Sequence, residues 1–279
     1  MKIWLYKFTS KSLEELQFGN ELISVDAFIT SLPTGVYTTL RTVGKTKIFQ
    51  LDFHLSRLRE SLHLMNVNID FSLNEIRNPI KEVVTNFPSD EVRIRLFIPI
   101  TNVEECYLIL EPLNQAGSSS KINGVIVSTN TLSRVNPKAK LTGFIKKSEV
   151  LKQFCKEHDL EDSIMVNSKN ELLEGLSSNF FAVIDDVLYT AADEVLNGAT
   201  REIILKEAEK ENVQIKYQPI TYSNLIDIDE AFISSTSRGI LPVIKIDDQL
   251  IGTGHPGKIT KLLMKKLNIK LKEDAEEII

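Results

Sequence analysis

Cysteine, tryptophan and long apolar runs are scarce in this chain. Its 279 residues include two cysteines and one tryptophan. Cys106 and Cys155 have neither a Cys-x-x-Cys spacing nor a histidine cluster beside them. That argues against a disulfide framework, a thiol-ligated metal and a nucleophilic thiol, and both are expected to be reduced and at least partly buried. The four histidines, His54, His63, His158 and His255, are scattered, and only His54 and His63 share a segment, so no metal is expected. No window approaches the ~18 uninterrupted apolar residues of a membrane span. Met1 to Phe8 holds no apolar run of signal-peptide length, and a cytoplasmic protein is expected. Charge of one sign is missing too: 33 Lys and Arg are interspersed with 38 Asp and Glu for a net −5. This disfavours a nucleic-acid groove or a polybasic membrane surface. There is no internal repeat, no Gly-x-Gly-x-x-Gly and no phosphate loop of the nucleotide-binding kind.

The remaining composition is that of a globular protein, 42% apolar and 25% charged, long enough for one large domain or two ordinary ones. Gly35 to Leu51 reads as a hairpin, with β-branched and aromatic runs on either side of Val43-Gly44-Lys45. A helix follows, with Leu55, Leu58, Leu62 and Met65 as its buried stripe and His54, Arg57 and Ser61 at i, i+3, i+7 on another face. Phe71 to Phe87 is expected to be a second amphipathic helix, with Ser72 as N-cap and Glu75 completing the cap. Strands are expected at 92–100 and 105–113. Asn114 to Lys121, small, polar and aperiodic, is expected to be a linker between domains at 1–113 and 122–279. Beyond it come a strand at 125–127, a helix at 144–158, strands at 163–166, 180–184 and 187–189, a helix at 200–211, strands at 231–234 and 243–246, and a C-terminal helix from Gly257. The order lacks the regular alternation of a doubly wound sheet.

Three stretches carry possible chemistry. Asn197-Gly-Ala-Thr-Arg201 runs into a helix, where free N–H groups and the positive dipole end suit a phosphate, although Thr200 also serves as an ordinary N-cap. Glu174-Gly-Leu-Ser-Ser-Asn-Phe-Phe181 sets a carboxylate before a Gly-containing turn and an aromatic strand, or is a loop of ordinary Asx and Ser turns. Ser234-Ser-Thr-Ser-Arg-Gly-Ile-Leu-Pro242 places hydroxyls after a strand, where they bind an anion or are simply solvated.

In their order, together with His54-Leu-Ser-Arg-Leu58 and the Gly35–Arg41 strand, these stretches resemble the class IV aminotransferases, the fold-type IV pyridoxal-phosphate enzymes. The family includes branched-chain aminotransferase, D-amino-acid aminotransferase and 4-amino-4-deoxychorismate lyase. The resemblance runs from about Gly35 to Lys258. It implies an α/β fold with a small N-terminal α/β domain and a larger C-terminal pseudo-barrel, pyridoxal 5′-phosphate between them, and a homodimer. Lys140, a few residues after Arg134-Val-Asn-Pro137 and 34 positions (174 − 140) before Glu174, matches the lysine that holds the cofactor; Lys138, Lys146 and Lys147 lie close by. Glu174 matches the carboxylate facing the pyridine nitrogen. Arg57 matches the arginine on the phosphate, with the Ala199 and Thr200 amides, the Thr200 hydroxyl and Thr236 as further phosphate ligands. Tyr37 and Thr39, on alternate positions of one strand, would line the substrate side.

Departures from the pattern keep the activity open. Ile145 stands where branched-chain aminotransferases carry a Tyr, and Leu-Ser-Ser-Asn follows Glu174-Gly175. Arg93-Ile-Arg95-Leu-Phe97 supplies arginine but no histidine for the Arg-x-His carboxylate trap of D-amino-acid aminotransferases. Tyr37-Thr-Thr-Leu-Arg41 resembles the lyases. An aminotransferase acting on a small amino acid and a 2-oxo acid is expected. The lyase, releasing 4-aminobenzoate and pyruvate, and a cofactor-free binding protein are the alternatives.

Overall fold

The computed structural model describes residues 3–278 except 11, 17–24, 26, 27, 30, 31, 70 and 114–116. Contacts divide the chain into two units. One is Met1–Asn114 with Ala139–Lys147 and Leu271–Ile279; the other is Gln115–Lys138 with Ser148–Lys270.

The first unit is built on an antiparallel sheet. Its strands are β1 (Trp4–Phe8), β2 (Leu13–Glu15), β3 (Gly35–Val43), β4 (Lys47–Phe49), β5 (Val92–Pro99) and β6 (Cys106–Pro112). With the C-terminal strand Ala275–Glu277, they are ordered Ala275–Glu277, β4, β3, β5, β6, β1, β2. Strand alternation sorts the side chains of β3. Val36 and Leu40 join a core with helix α1 (Leu51–Leu64) and helix α2 (Arg77–Asn86), where Leu55, Leu58, Leu62, Ile80 and Val84 are buried. Tyr37 turns to the other face, among Leu5, Phe97, Ile109 and Ile145. The Ser72–Glu75 capping box forms as expected, but it opens a short 3-10 turn, Leu73–Ile76, ahead of α2. Gly35 opens β3 where a Cβ would overlap the Phe97 ring and the Ile98 carbonyl, so the strand pair needs glycine there.

The second unit begins with helix α3 (Ser118–Asn123), where the sequence suggests a structureless linker; Asn114, Gln115 and Ala116 of that stretch lie outside the described residues. The helix is a turn and a half long and stops at Gly124, whose φ of 83° suits glycine. Serines carry no apolar period, which is why the pattern hid it. Strand β7 (Val125–Asn130), helix α4 (Thr142–Glu157), β8 (Asp162–Val166), β9 (Leu172–Gly175), β10 (Asn179–Ile184), β11 (Val187–Tyr189), helix α5 (Ala199–Lys210), β12 (Ile215–Lys216), β13 (Glu230–Ser235), β14 (Gly239–Ile246), β15 (Gln249–Leu250) and helix α6 (Lys258–Glu273) follow. Asp185 and Asp186, both at positive φ, make the expected tight turn between β10 and β11.

The sheet order β12-β11-β10-β13-β14-β7-β8-β9 has one extra pairing, β10 with β9. That pairing closes β10, β13, β14, β7, β8 and β9 into a ring, the pseudo-barrel. Val127, Ile164, Leu172, Phe180, Ile233 and Leu241 fill one of its faces. The closing pair is Asn179 opposite Glu174. Both cysteines are free thiols and buried, and burial pushes Cys106 up to about 12.

Candidate active site

The first unit gathers the lysine and the arginine. On α1, His54, Arg57 and Ser61 lie on one face as their spacing requires, and all three are buried. Arg57 Nη2 donates to the Thr38 hydroxyl at 2.9 Å and lies 3.2 Å from His54 Nδ1, which is itself 2.9 Å from the Thr38 hydroxyl. Thr38 points to this side of β3 because Tyr37 and Thr39 point to the other. Burial, then the neighbouring Arg57 and Lys140 cations, hold His54 well below the ordinary histidine range.

Ser61 ties this helix to the lysine segment. Its hydroxyl donates to the Arg57 carbonyl at 2.9 Å and accepts from the Lys140 N–H at 3.2 Å. The Lys140 carbonyl accepts from the Tyr37 N–H at 3.0 Å, Leu141 bridges Val36, and the Thr142 hydroxyl accepts from the Gly35 N–H at 3.0 Å. The Lys140 backbone is therefore fixed on both sides, and its Nζ lies 5.0 Å from the Tyr37 ring centroid. Lys146, a nearby alternative in the sequence, instead donates to the Leu32 carbonyl.

Tyr37 and Thr39 share a face with Arg95, which stands directly opposite Thr39 and 5.2 Å from the Tyr37 centroid. Arg93 is committed to Glu111, and Arg41 to Glu91 at 3.3 Å.

The second unit gathers the carboxylate and the helix start. Glu174 is 2% exposed at the end of β9. Arg134 Nε donates to its Oε1 at 2.7 Å, while Asn179 Nδ2 at 2.9 Å and the Leu196 N–H at 3.1 Å donate to its Oε2. The same Asn179 amide donates to the Leu196 carbonyl at 2.8 Å, so the carboxylate is linked to the segment leading into α5. The N-cap of that helix is Gly198, with no side chain closing it. Thr200 is thus not the cap but lies in the first turn, and the Ala199 and Thr200 amides have, by position, no acceptor within the helix. A Cβ at Gly198 would overlap Asn179 Oδ1, so glycine is what lets the helix start approach.

Thr236 occupies the turn between β13 and β14. Arg238 holds that turn: Nε donates to Ser235 at 3.2 Å, Nη1 to Glu161 Oε1 at 2.9 Å, and Nη2 to Asp162 Oδ2 at 3.1 Å and the Ser177 hydroxyl at 2.8 Å. Asp162 also accepts from the Leu176 N–H and the Ser178 hydroxyl, which secures the turn after Glu174.

Of the eight residues singled out in the sequence, Tyr37, Thr39, Arg57 and Lys140 fall in the first unit and Glu174, Ala199, Thr200 and Thr236 in the second. Thr38, His54 and Ser61 around the first group, and Arg134, Asp162, Asn179 and Arg238 around the second, were not singled out as site residues. Thr38, His54, Arg134, Asn179 and Arg238 lie in stretches that carry the resemblance, and Ser61 shares the helix face of Arg57; nothing local signals Asp162.

The model of the family "Amino-transferase class IV" matches residues 35–246. The chain belongs to that family. It is an aminotransferase, of the fold expected from the sequence, and the family's cofactor is pyridoxal 5′-phosphate. Among its relatives, a branched-chain-amino-acid aminotransferase of Pseudomonas aeruginosa is 28% identical over 251 residues, covering 83% of this chain and 82% of that one. A D-alanine aminotransferase of Bacillus licheniformis is 26% identical over 265 residues, covering 88% and 90%. The crystal structure of a T.th. branched-chain amino acid aminotransferase with pyridoxamine 5′-phosphate superposes with a TM-score of 0.82 at 20% identity, covering 99% of this chain and 98% of that one. These relatives favour neither the lyase nor the cofactor-free alternative. No helix among the described residues is long and apolar enough to cross a membrane, and no cluster of His, Cys, Asp and Glu among them suits a metal.

Proposed function

We propose that this aminotransferase moves an amino group between a small amino acid and a 2-oxo acid, with Lys140 as the lysine that holds the cofactor. The observation that carries this assignment is the fixing of the Lys140 backbone between Ser61 and Tyr37, beside a buried Arg57.

The side chains fit pyridoxal 5′-phosphate by their chemistry. An amine, a guanidinium, an uncapped helix start and a buried carboxylate match, in turn, its aldehyde, its phosphate twice over, and its ring nitrogen. When bound, the cofactor supplies an electron sink for the bond broken at the amino acid's Cα. Arg57, the Ala199 and Thr200 amides, the Thr200 hydroxyl and Thr236 would hold the phosphate. Glu174, kept in place by Arg134, Asn179 and Leu196, would hold a proton on the ring nitrogen. Lys140 Nζ, once released, would carry the proton from Cα. Tyr37 and Thr39 would line the substrate, and Arg95, on their face, would meet its carboxylate.

The split of relatives between branched-chain and D-alanine aminotransferases supports a small, largely apolar amino acid. We further infer a homodimer in the cytoplasm, without nucleic-acid or membrane partners; the mixture of 33 Lys and Arg with 38 Asp and Glu supports the lack of a polyanionic or membrane-surface partner. The test is an exchange assay with 2-oxoglutarate or pyruvate and a panel of L-branched-chain amino acids and D-alanine, run on wild-type protein and Lys140→Ala. Turnover with one amino-acid class, lost in the variant, is expected. Release of 4-aminobenzoate from aminodeoxychorismate with no oxo-acid exchange would overturn it.

A further inference from the structure

The candidate site leaves His54 without a task, yet it is fully buried beside two cations. A guanidinium only donates hydrogen bonds, and Arg57 Nη2 faces His54 Nδ1 at 3.2 Å and the Thr38 hydroxyl at 2.9 Å. The Thr38 oxygen accepts from Arg57, so its own hydrogen is available to His54 Nδ1 at 2.9 Å. Two donors thus converge on Nδ1, which must present a lone pair, and the ring proton then belongs on Nε2. Nε2 has no partner among the described residues. A buried donor left unmatched is unusual and calls for a reason. The groups facing His54 are Arg57 on its own helix, Thr38 on β3 and the Lys140 cation on the 139–147 segment; burial and the two cations all disfavour an imidazolium, and no carboxylate among the described residues opposes them.

We propose that His54 is a positioning residue: its Nδ1 lone pair, with the Thr38 hydroxyl, fixes the direction of the Arg57 guanidinium and so the grip on the cofactor phosphate. The proposal rests on Arg57 being a phosphate ligand. Holding a long arginine in one rotamer before the ligand arrives removes part of the ordering cost of binding. A charged imidazole would repel the guanidinium instead, and a side chain without an acceptor at this place would release it.

The test has two arms. In holoenzyme labelled with ¹⁵N-histidine, two-bond nitrogen–proton correlations report the protonation of each ring nitrogen; with only four histidines, single variants of His63, His158 and His255 complete the assignment. A pyridine-type Nδ1 and a protonated Nε2 on His54, unchanged from pH 8 to 6, is expected. A proton on Nδ1, or an ordinary titration, overturns the proposal whether or not any variant folds. The second arm measures dissociation constants for pyridoxal 5′-phosphate. His54→Ala should weaken binding about ten- to a hundredfold, the range of a hydrogen bond to a charged group. His54→Asn, whose amide oxygen can stand in for Nδ1, should recover most of the loss, and His54→Ala should add little in an Arg57→Ala background. Unchanged affinity in His54→Ala beside a weakened Arg57→Ala overturns the proposal alone. Unchanged affinity in Arg57→Ala overturns the phosphate reading beneath it.

Discussion

Replacing Glu174 by Gln changes almost no volume and removes one charge, so its effect follows from the hydrogen bonds around it. The carboxylate is 2% exposed and accepts from Arg134 on one oxygen and from Asn179 and the Leu196 N–H on the other. A glutamine has one acceptor oxygen and one amide that only donates. If the oxygen turns to Asn179 and Leu196, the amide points hydrogens at the guanidinium. If it turns to Arg134, the amide faces two N–H groups. Both rotamers set donor against donor. The cheaper one removes the anion facing an arginine whose side chain is 6% exposed, and breaking a buried ion pair costs about 3–5 kcal/mol. At roughly 2–4 °C per kcal/mol for a domain of this size, the melting temperature should fall by about 6–20 °C. The assay is thermal unfolding by circular dichroism on protein freed of cofactor, so that lost ligand affinity does not enter. A variant that melts within about 2 °C of the wild type would mean that the Glu174 charge does not hold Arg134, Asn179 and Leu196 together.

Other expectations follow from the same contacts. Gly198→Ala sets a Cβ against Asn179 Oδ1 and should weaken cofactor binding severalfold while far-ultraviolet dichroism stays unchanged. Arg238→Ala removes the bridge from the Thr236 turn to Asp162 and Ser177; hydrogen exchange at 235–239 and 176–178 should rise together, and an increase at one turn only would contradict the shared clamp. Burial and the Arg57 and Lys140 cations lower the folded-state pKa of His54 from its unfolded value of about 6.5. Between those two values the unfolded chain binds the extra proton, so stability rises with pH through that window and is fully present above about 6.5. Wild-type melting temperature should fall as pH drops below about 6.5, and His54→Asn should show a shallower acid limb; equal limbs would contradict it.

Long periodic stretches announced themselves. The stripe Leu55, Leu58, Leu62 defined α1, and the i, i+3, i+7 set of His54, Arg57 and Ser61 appears on one face because helix geometry allows nothing else. Short strands such as Leu172–Gly175 and Ala275–Glu277 gave no periodic signal, since three or four residues contain too little alternation. Yet β9 carries Glu174 and closes the barrel. The clamp of Arg238 on Asp162 joins residues 76 apart in sequence, and only the folded chain brings them into reach. Likewise Lys140 lies among residues of the second half of the chain, but its contacts place it in the first unit, because Ser61, Tyr37, Val36 and Gly35 draw residues 140–142 onto β3. Motif order identified the chemistry; the hydrogen bonds that hold it were set by tertiary structure.

Borohydride reduction of the holoenzyme, followed by proteolysis and mass spectrometry of the phosphopyridoxyl peptide, shows which amine holds the cofactor. The label is expected on Lys140; a label on Lys138, Lys146 or Lys147, or none on any lysine, would contradict the account.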